Sequence, residues 1–177
     1  MASGMMCEVH LQLLGRFQVR GNGQEVPPSA FGGRKVRTLL RMLAVRNPDL
    51  VTHEILTEAL WPDRVPADPV GTIGVLVNRA RSALGDPSLI VTGSGGYALG
   101  PECTVDIVEY LRFAERARQA GDDHAAVLRA CGSALALWGE PLAEDTYSDW
   151  ARHPRERLQQ TQIEICQRAP KGLAGAR

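Results

Sequence analysis

The sequence predicts an α+β chain in two parts, and three observations carry that prediction. Apolar residues alternate near the N-terminus, which reads as short strands. After residue 34 the apolar period lengthens to that of a helix, and a glycine-rich hairpin closes this first part. From residue 102 onward only the helical period remains. The boundaries are therefore expected at 1–101 and 102–177.

Val9, Leu11 and Leu13 alternate as one face of a half-buried strand. Gly15 interrupts, Phe17 and Val19 resume the alternation, and Asn22-Gly23 turns the chain into residues 24–26. A small N-terminal antiparallel sheet is expected. Val36, Leu39, Leu40 and Leu43 then fall at i, i+3, i+4 and i+7, a helix ended by Asn47-Pro48. Thr52 is placed to cap a second helix, with Val51 and Leu56 as a hydrophobic staple and Trp61-Pro62 as its stop. Asp68-Pro69 is a cap followed by proline at the first helical position. The third helix runs from there to about Leu84, where Gly85 and Pro87 stop it. Residues 89–92 and 97–99 read as hairpin strands around the tip Gly93-Ser94-Gly95-Gly96.

The second part is helical. Asp106 and Glu109 have the spacing of a capping box, and Tyr110, Phe113, Ala114 and Ala117 make one face. Gly121-Asp122-Asp123 separates it from a helix lined by Val127, Cys131, Ala134 and Trp138, which Gly139-Glu140-Pro141 ends. A third helix is expected near Pro154, carrying Leu158 and Ile165. Helix pairs joined by short turns suggest a helical-hairpin array. The tail 170–177 has no apolar pattern and is expected to fray.

Composition excludes several classes. The 177 residues are 44% apolar and 23% charged, a globular rather than a disordered balance. Apolar runs long enough for a membrane span are absent, and no basic segment precedes an apolar one at the start. No signal peptide is expected, and the cytoplasm is the expected location. Cys7, Cys103, Cys131 and Cys166 are far apart and read as reduced thiols; His10, His53, His124 and His153 are equally scattered. No metal site or cofactor is expected. Nor does the sequence hold a nucleophile elbow, an HExxH, a Walker lysine or carboxylates paired near a histidine, so no enzyme is expected.

Net charge is zero but unevenly placed. Residues 1–101 hold 10 Arg/Lys and 8 Asp/Glu, and residues 102–177 hold 10 and 12. Arg34, Lys35, Arg37, Arg41 and Arg46 cluster without an acid between them, and between Asp68 and Asp86 the only charges are Arg79 and Arg81. A chain can meet phosphates locally without being basic overall.

The third helix is the most informative segment. At 100° per residue, Ile73, Leu76, Val77, Ala80 and Leu84 share one face, and Gly71, Val75, Asn78 and Ser82 the opposite one. Thr72 and Arg79 lie on one flank and Arg81 on the other. A narrow, acid-free helix face of this kind suits a DNA major groove: the arginines meet phosphates or guanines, Asn78 a base edge, Val75 a thymine methyl. An ordinary solvated face would also account for two arginines in one helix. The Gly-Ser-Gly-Gly tip lacks the helix and the Lys-Ser/Thr of a phosphate loop.

These residues carry a family resemblance. Residues 8–100 resemble an OmpR/PhoB-type winged helix-turn-helix, with TIGVLVNRARSALG (72–85) similar to its recognition helix and IVTGSGGYALG (90–100) to its wing hairpin. Residues 104–169 resemble the start of a bacterial transcriptional activation domain, a TPR-like all-α fold. The pieces that carry this are TVDIVEYLRFAERARQAGD, ALALWGEPLAE and WARHPRERL. That order resembles the SARP (antibiotic regulatory protein) family, and the likeness covers nearly the whole chain. It implies a pathway-specific activator of secondary metabolite biosynthesis acting on double-stranded DNA at direct repeats, with RNA polymerase subunits as partners, a homodimer on DNA, and no membrane partner. The DNA-contacting residues it implies are Thr72, Val75, Asn78, Arg79, Arg81 and Ser82, then Thr92 and Tyr97 in the wing, Tyr97 more as packing. Arg34 and Arg37 at the start of the first helix follow as phosphate candidates. The activation domain is expected to be shortened, and a truncated activator or an interaction module that binds without activating is the alternative.

Overall fold

The structure, a computed structural model, describes residues 8–169; Cys7 and the tail expected to fray lie outside them. Among the described residues the contacts divide into two units, residues 8–11 with 18–105 and residues 12–17 with 106–169. The expected division at 101 thus falls within the first of these units, and a six-residue segment from near the N-terminus groups with the second.

The first unit opens with β1 (Val9–Gln12), β2 (Gln18–Gly21) and β3 (Gln24–Glu25). A late strand, β7 (Cys103–Val105), completes a four-stranded sheet in the order β3-β2-β1-β7. Among the expected N-terminal strands β2 and β3 pair antiparallel, Arg20 opposite Glu25; the sheet is mixed because the unexpected β7 pairs with β1 in parallel, Val9 opposite Cys103 and Leu11 opposite Val105. Parallel partners need a long crossover, and here everything from β2 to the end of the hairpin at Leu99 supplies it. Val9, Leu11 and Val105 are almost fully buried.

Three helices follow the strands: α1 (Arg34–Arg46), α2 (His53–Leu60) and α3 (Pro69–Leu84). Leu39, Leu40 and Leu43 of α1, Leu56 of α2, and Ile73 and Val77 of α3 are buried, as their helical spacing predicts. Thr52 caps α2, its Oγ1 accepting from the Ile55 N–H at 3.3 Å.

β5 (Ile90–Gly93) and β6 (Gly96–Leu99) form the hairpin, and β4 (Val51–Thr52) adds to β6 as a third strand. The tip is tighter than expected. Gly93 and Gly96 are paired, leaving Ser94 and Gly95 as the turn. At Gly96 the backbone passes so close to β4 that a Cβ would collide with the Val51 carbonyl, so only glycine fits.

The second unit contains α4 (Asp106–Gln119), α5 (His124–Leu137) and α6 (Asp149–Arg168), each packing on the others. Asp106 is not the capping box that its spacing with Glu109 suggested. Its buried carboxylate accepts from the N–H groups of Leu13 (2.9 Å), Leu14 (2.8 Å) and Ile107 (2.8 Å). Three backbone donors that would otherwise be buried without partners claim it instead. Residues 12–17 also bond to the α5–α6 connection, Leu142 N–H donating to Leu13 O and Gly15 N–H to Glu140 O, both at 2.9 Å. Tyr110 is buried, stacks on Trp138 at 5.3 Å, and donates to Gln162 Oε1 at 3.0 Å.

α6 starts at Asp149, five residues before the expected Pro154, which lies inside it. Ala151, Leu158, Thr161 and Ile165 are buried along one stripe that begins before the proline. Burial of that stripe outweighs the one backbone hydrogen bond a proline removes.

Candidate nucleic-acid interface

α3 is fixed at both ends by its own sequence. Asp68 Oδ1 accepts from the Gly71 N–H at 2.9 Å, Thr72 Oγ1 donates to Asp68 O at 2.6 Å, and Pro69 occupies the first turn. Any Cβ at Gly71 would run into that Asp68 carboxylate, so glycine here protects the cap. Gly85, in the left-handed conformation, ends the helix with its N–H donating to Arg81 O. Ile73, Leu76, Val77, Ala80 and Leu84 are buried, and α3 packs on α1 and α2. This fixes which side of α3 faces outward. Val75 is 51% exposed, and Gly71, Asn78, Arg79 and Ser82 are exposed with it.

The two arginines differ. Arg79 is exposed on the outer face. Arg81 is half-buried: its Nε and Nη2 donate to Ile90 O at 3.2 and 2.6 Å, and Nη2 also to Thr92 Oγ1 at 3.0 Å. Arg81 therefore ties α3 to β5. Thr92 is exposed beside it. Tyr97 is half-buried and stacks on His53 with ring centres 5.5 Å apart. Ser82 donates its hydroxyl proton to Asn78 O at 3.0 Å, which leaves its oxygen free to accept.

The basic run of α1 is dispersed by the helix. Arg34 is exposed in the first turn, where no acid and no side-chain cap stand. Lys35 donates to Leu60 O at the end of α2 and lies 4.8 Å from the Trp61 ring centre; partial burial lowers its pKa. Arg37 is half-buried, Arg41 is 1% exposed with Nη2 donating to Thr38 Oγ1 at 3.1 Å, and Arg46 lies at the far end. The five cations are thus not one phosphate-facing patch.

One element beside α3 was missed in the sequence. The short 3-10 turn Pro28–Phe31 comes alongside α3. Residues 30–32 and the line Val75, Asn78, Arg79 and Ser82 enclose an open groove of about 430 Å³. The available signal was Phe31, a large apolar residue just before Gly32-Gly33 and now 2% exposed.

Three comparisons place the chain among known proteins. A family model described as the bacterial transcriptional activator domain matches residues 105–173. Regulatory protein AfsR of Streptomyces griseus is 32% identical over 160 residues, 85% of this chain. The chain is thus similar to the SARP family of transcriptional activators. That is a family of transcription regulators rather than a class of enzymes. The chain spans only 16% of AfsR. The solved structure of Mycobacterium tuberculosis EmbR in complex with a low affinity phosphopeptide is similar in fold, with a TM-score of 0.79 at 23% identity over 90% of this chain and 44% of that one. Among the described residues no helix is long and apolar enough to cross a membrane.

Proposed function

We propose that the first unit is a winged helix-turn-helix that binds duplex DNA, with α3 in the major groove and the β5–β6 hairpin as the wing. The observation that carries this reading is the outward face of α3. It is free of acids, small along its middle, and flanked by an exposed Arg79. A helix with these properties can approach two phosphate strands without repulsion and present donors to base edges. Val75, Asn78 and Arg79 are the base-reading residues, and Thr72 and Ser82 add hydroxyl oxygens. Thr92, Arg34 and Arg37 are the candidates for phosphate contact, while Arg81 and Tyr97 hold the wing against the helix.

On this reading the helical unit, a TPR-like fold, supplies protein contacts to RNA polymerase subunits or to a second protomer on a direct repeat. The chain then works in the cytoplasm as an activator of a secondary metabolite pathway. The test is a mobility-shift titration of the full chain against duplexes selected from a random pool. Arg79→Ala is expected to lower affinity by about 1–3 kcal/mol and to relax preference at one base position. Equal affinity of the two proteins would sink the reading.

A further inference from the structure

We infer that base reading is done by a groove with two walls, the 3-10 turn Pro28–Phe31 forming the second, and that this groove receives a thymine. The inference rests on the DNA-binding reading above and adds to it a residue, Ala30, and a base.

The first wall is a line along α3. Val75, Asn78, Arg79 and Ser82 stand at i, i+3, i+4 and i+7. Residues 30–32 make the second. That wall is held in place from within: Phe31 is 2% exposed, Ala30 N–H donates to Pro27 O at 2.9 Å, and Gly32 N–H donates to Ser29 O at 3.2 Å. Proline at 27 and 28 restricts the backbone further. The turn is therefore a rigid partner for whatever enters.

The chemistry of the groove is divided lengthwise. Ala30 and the half-exposed Val75 are apolar, whereas Asn78, Arg79 and Ser82 offer donors and two acceptor oxygens, Asn78 Oδ1 and Ser82 Oγ. Of the base-pair edges in a major groove, only a T·A pair combines a methyl with adjacent polar atoms: thymine O4, adenine N7 and the adenine N6 amine. The donors suit O4 and N7, and the Ser82 oxygen suits N6. Charge agrees with this occupant. No acid lines the groove, and α1 starts at Arg34, two residues after Gly32, without a side-chain cap, so the positive end of its dipole stands next in the chain.

The experiment uses the full chain and a duplex recovered from the random pool. Each thymine is replaced in turn by uracil, which removes only the methyl. One position is expected to lose affinity by a factor of about four, the value of burying one methyl. Val75→Ala should make that position indifferent to the methyl. Ala30→Leu should fill the groove and abolish the thymine preference there, with the melting temperature unchanged because Ala30 is exposed. Specific binding with no methyl-sensitive thymine, or Ala30→Leu with its preference intact, overturns the two-walled groove alone. Absence of binding to any duplex overturns the DNA-binding reading and this one with it.

Discussion

Arg79 and Arg81 are two residues apart, yet substitutions at them should have different consequences. Arg79→Ala removes an exposed charge and should leave the melting temperature unchanged while weakening duplex binding. Arg81→Ala removes the donors to Ile90 O and Thr92 Oγ1 and should cost about 1–2 kcal/mol of stability. Its effect on DNA should follow from a loosened hairpin. Thermal unfolding and titration on the same preparations check both expectations, and equal melting losses at the two sites would contradict them. Both arginines were legible in the sequence as flanks of one helix. Which of them projects outward was not, because it depends on the Ile90 carbonyl, which the hairpin alone brings near. Tyr110 gives a pH test in the helical unit. Burial first, then the neighbouring Cys166 and Glu164, push its phenol above the ordinary value of 10.0. The folded chain therefore keeps the proton at pH values where the unfolded chain releases it. That stabilisation is complete below about pH 10 and is lost as pH rises through the folded pKa. Stability should fall above about pH 10, and Tyr110→Phe should remove that slope while costing about 1 kcal/mol at neutral pH. An unchanged alkaline slope in the variant would count against it.

Elements with strong local signals were readable, and those made by distant pairing were not. α3 was legible from end to end because its cap, its first-turn proline and its terminal glycine are all local. β7 is three residues long, too short for any period to show, and exists through its pairing with β1 some ninety residues earlier. α6 starts before Pro154 because its buried stripe, which needs partners in the other helices, outweighs the local signal of the proline. The turn Pro28–Phe31 gave no periodic signal, and with it half of the groove was missed. β7 has a practical consequence for fragments. A chain cut at 101 loses β7 with its buried Cys103 and Val105, leaving β1 as an open edge. A chain cut at 105 keeps the strand. The longer fragment is expected to be more stable by about 2–4 kcal/mol, the burial of one or two apolar side chains. Denaturant unfolding of both fragments measures this, and equal midpoints would show β7 to be dispensable.

The chain carries no net charge, so any attraction to DNA must come from how its charges are distributed. Read along the sequence, the cluster 34–46 looks like five phosphate contacts. The fold reduces that number. Arg41 is buried, Lys35 is held by the end of α2, and Arg46 is about 18 Å from Arg34 along a helix rising 1.5 Å per residue. Arg34, which is exposed, and the half-buried Arg37 remain as the charged candidates for phosphate, Arg79 being assigned to a base edge. About two phosphates per protomer release about two condensed counterions. The logarithm of affinity for a single site should then fall with the logarithm of salt at a slope of about −2. The excess of acids beyond residue 101 does not change this count, because the slope reports ions displaced from the DNA and not the protein's net charge. Titrations at several salt concentrations with the full chain give the slope directly, and Arg34→Ala should make it shallower by about one. A slope near −5 would mean that the whole α1 cluster reaches the backbone after all. A slope near zero would mean that neither helix approaches phosphate, and α3 would then be an ordinary solvated helix.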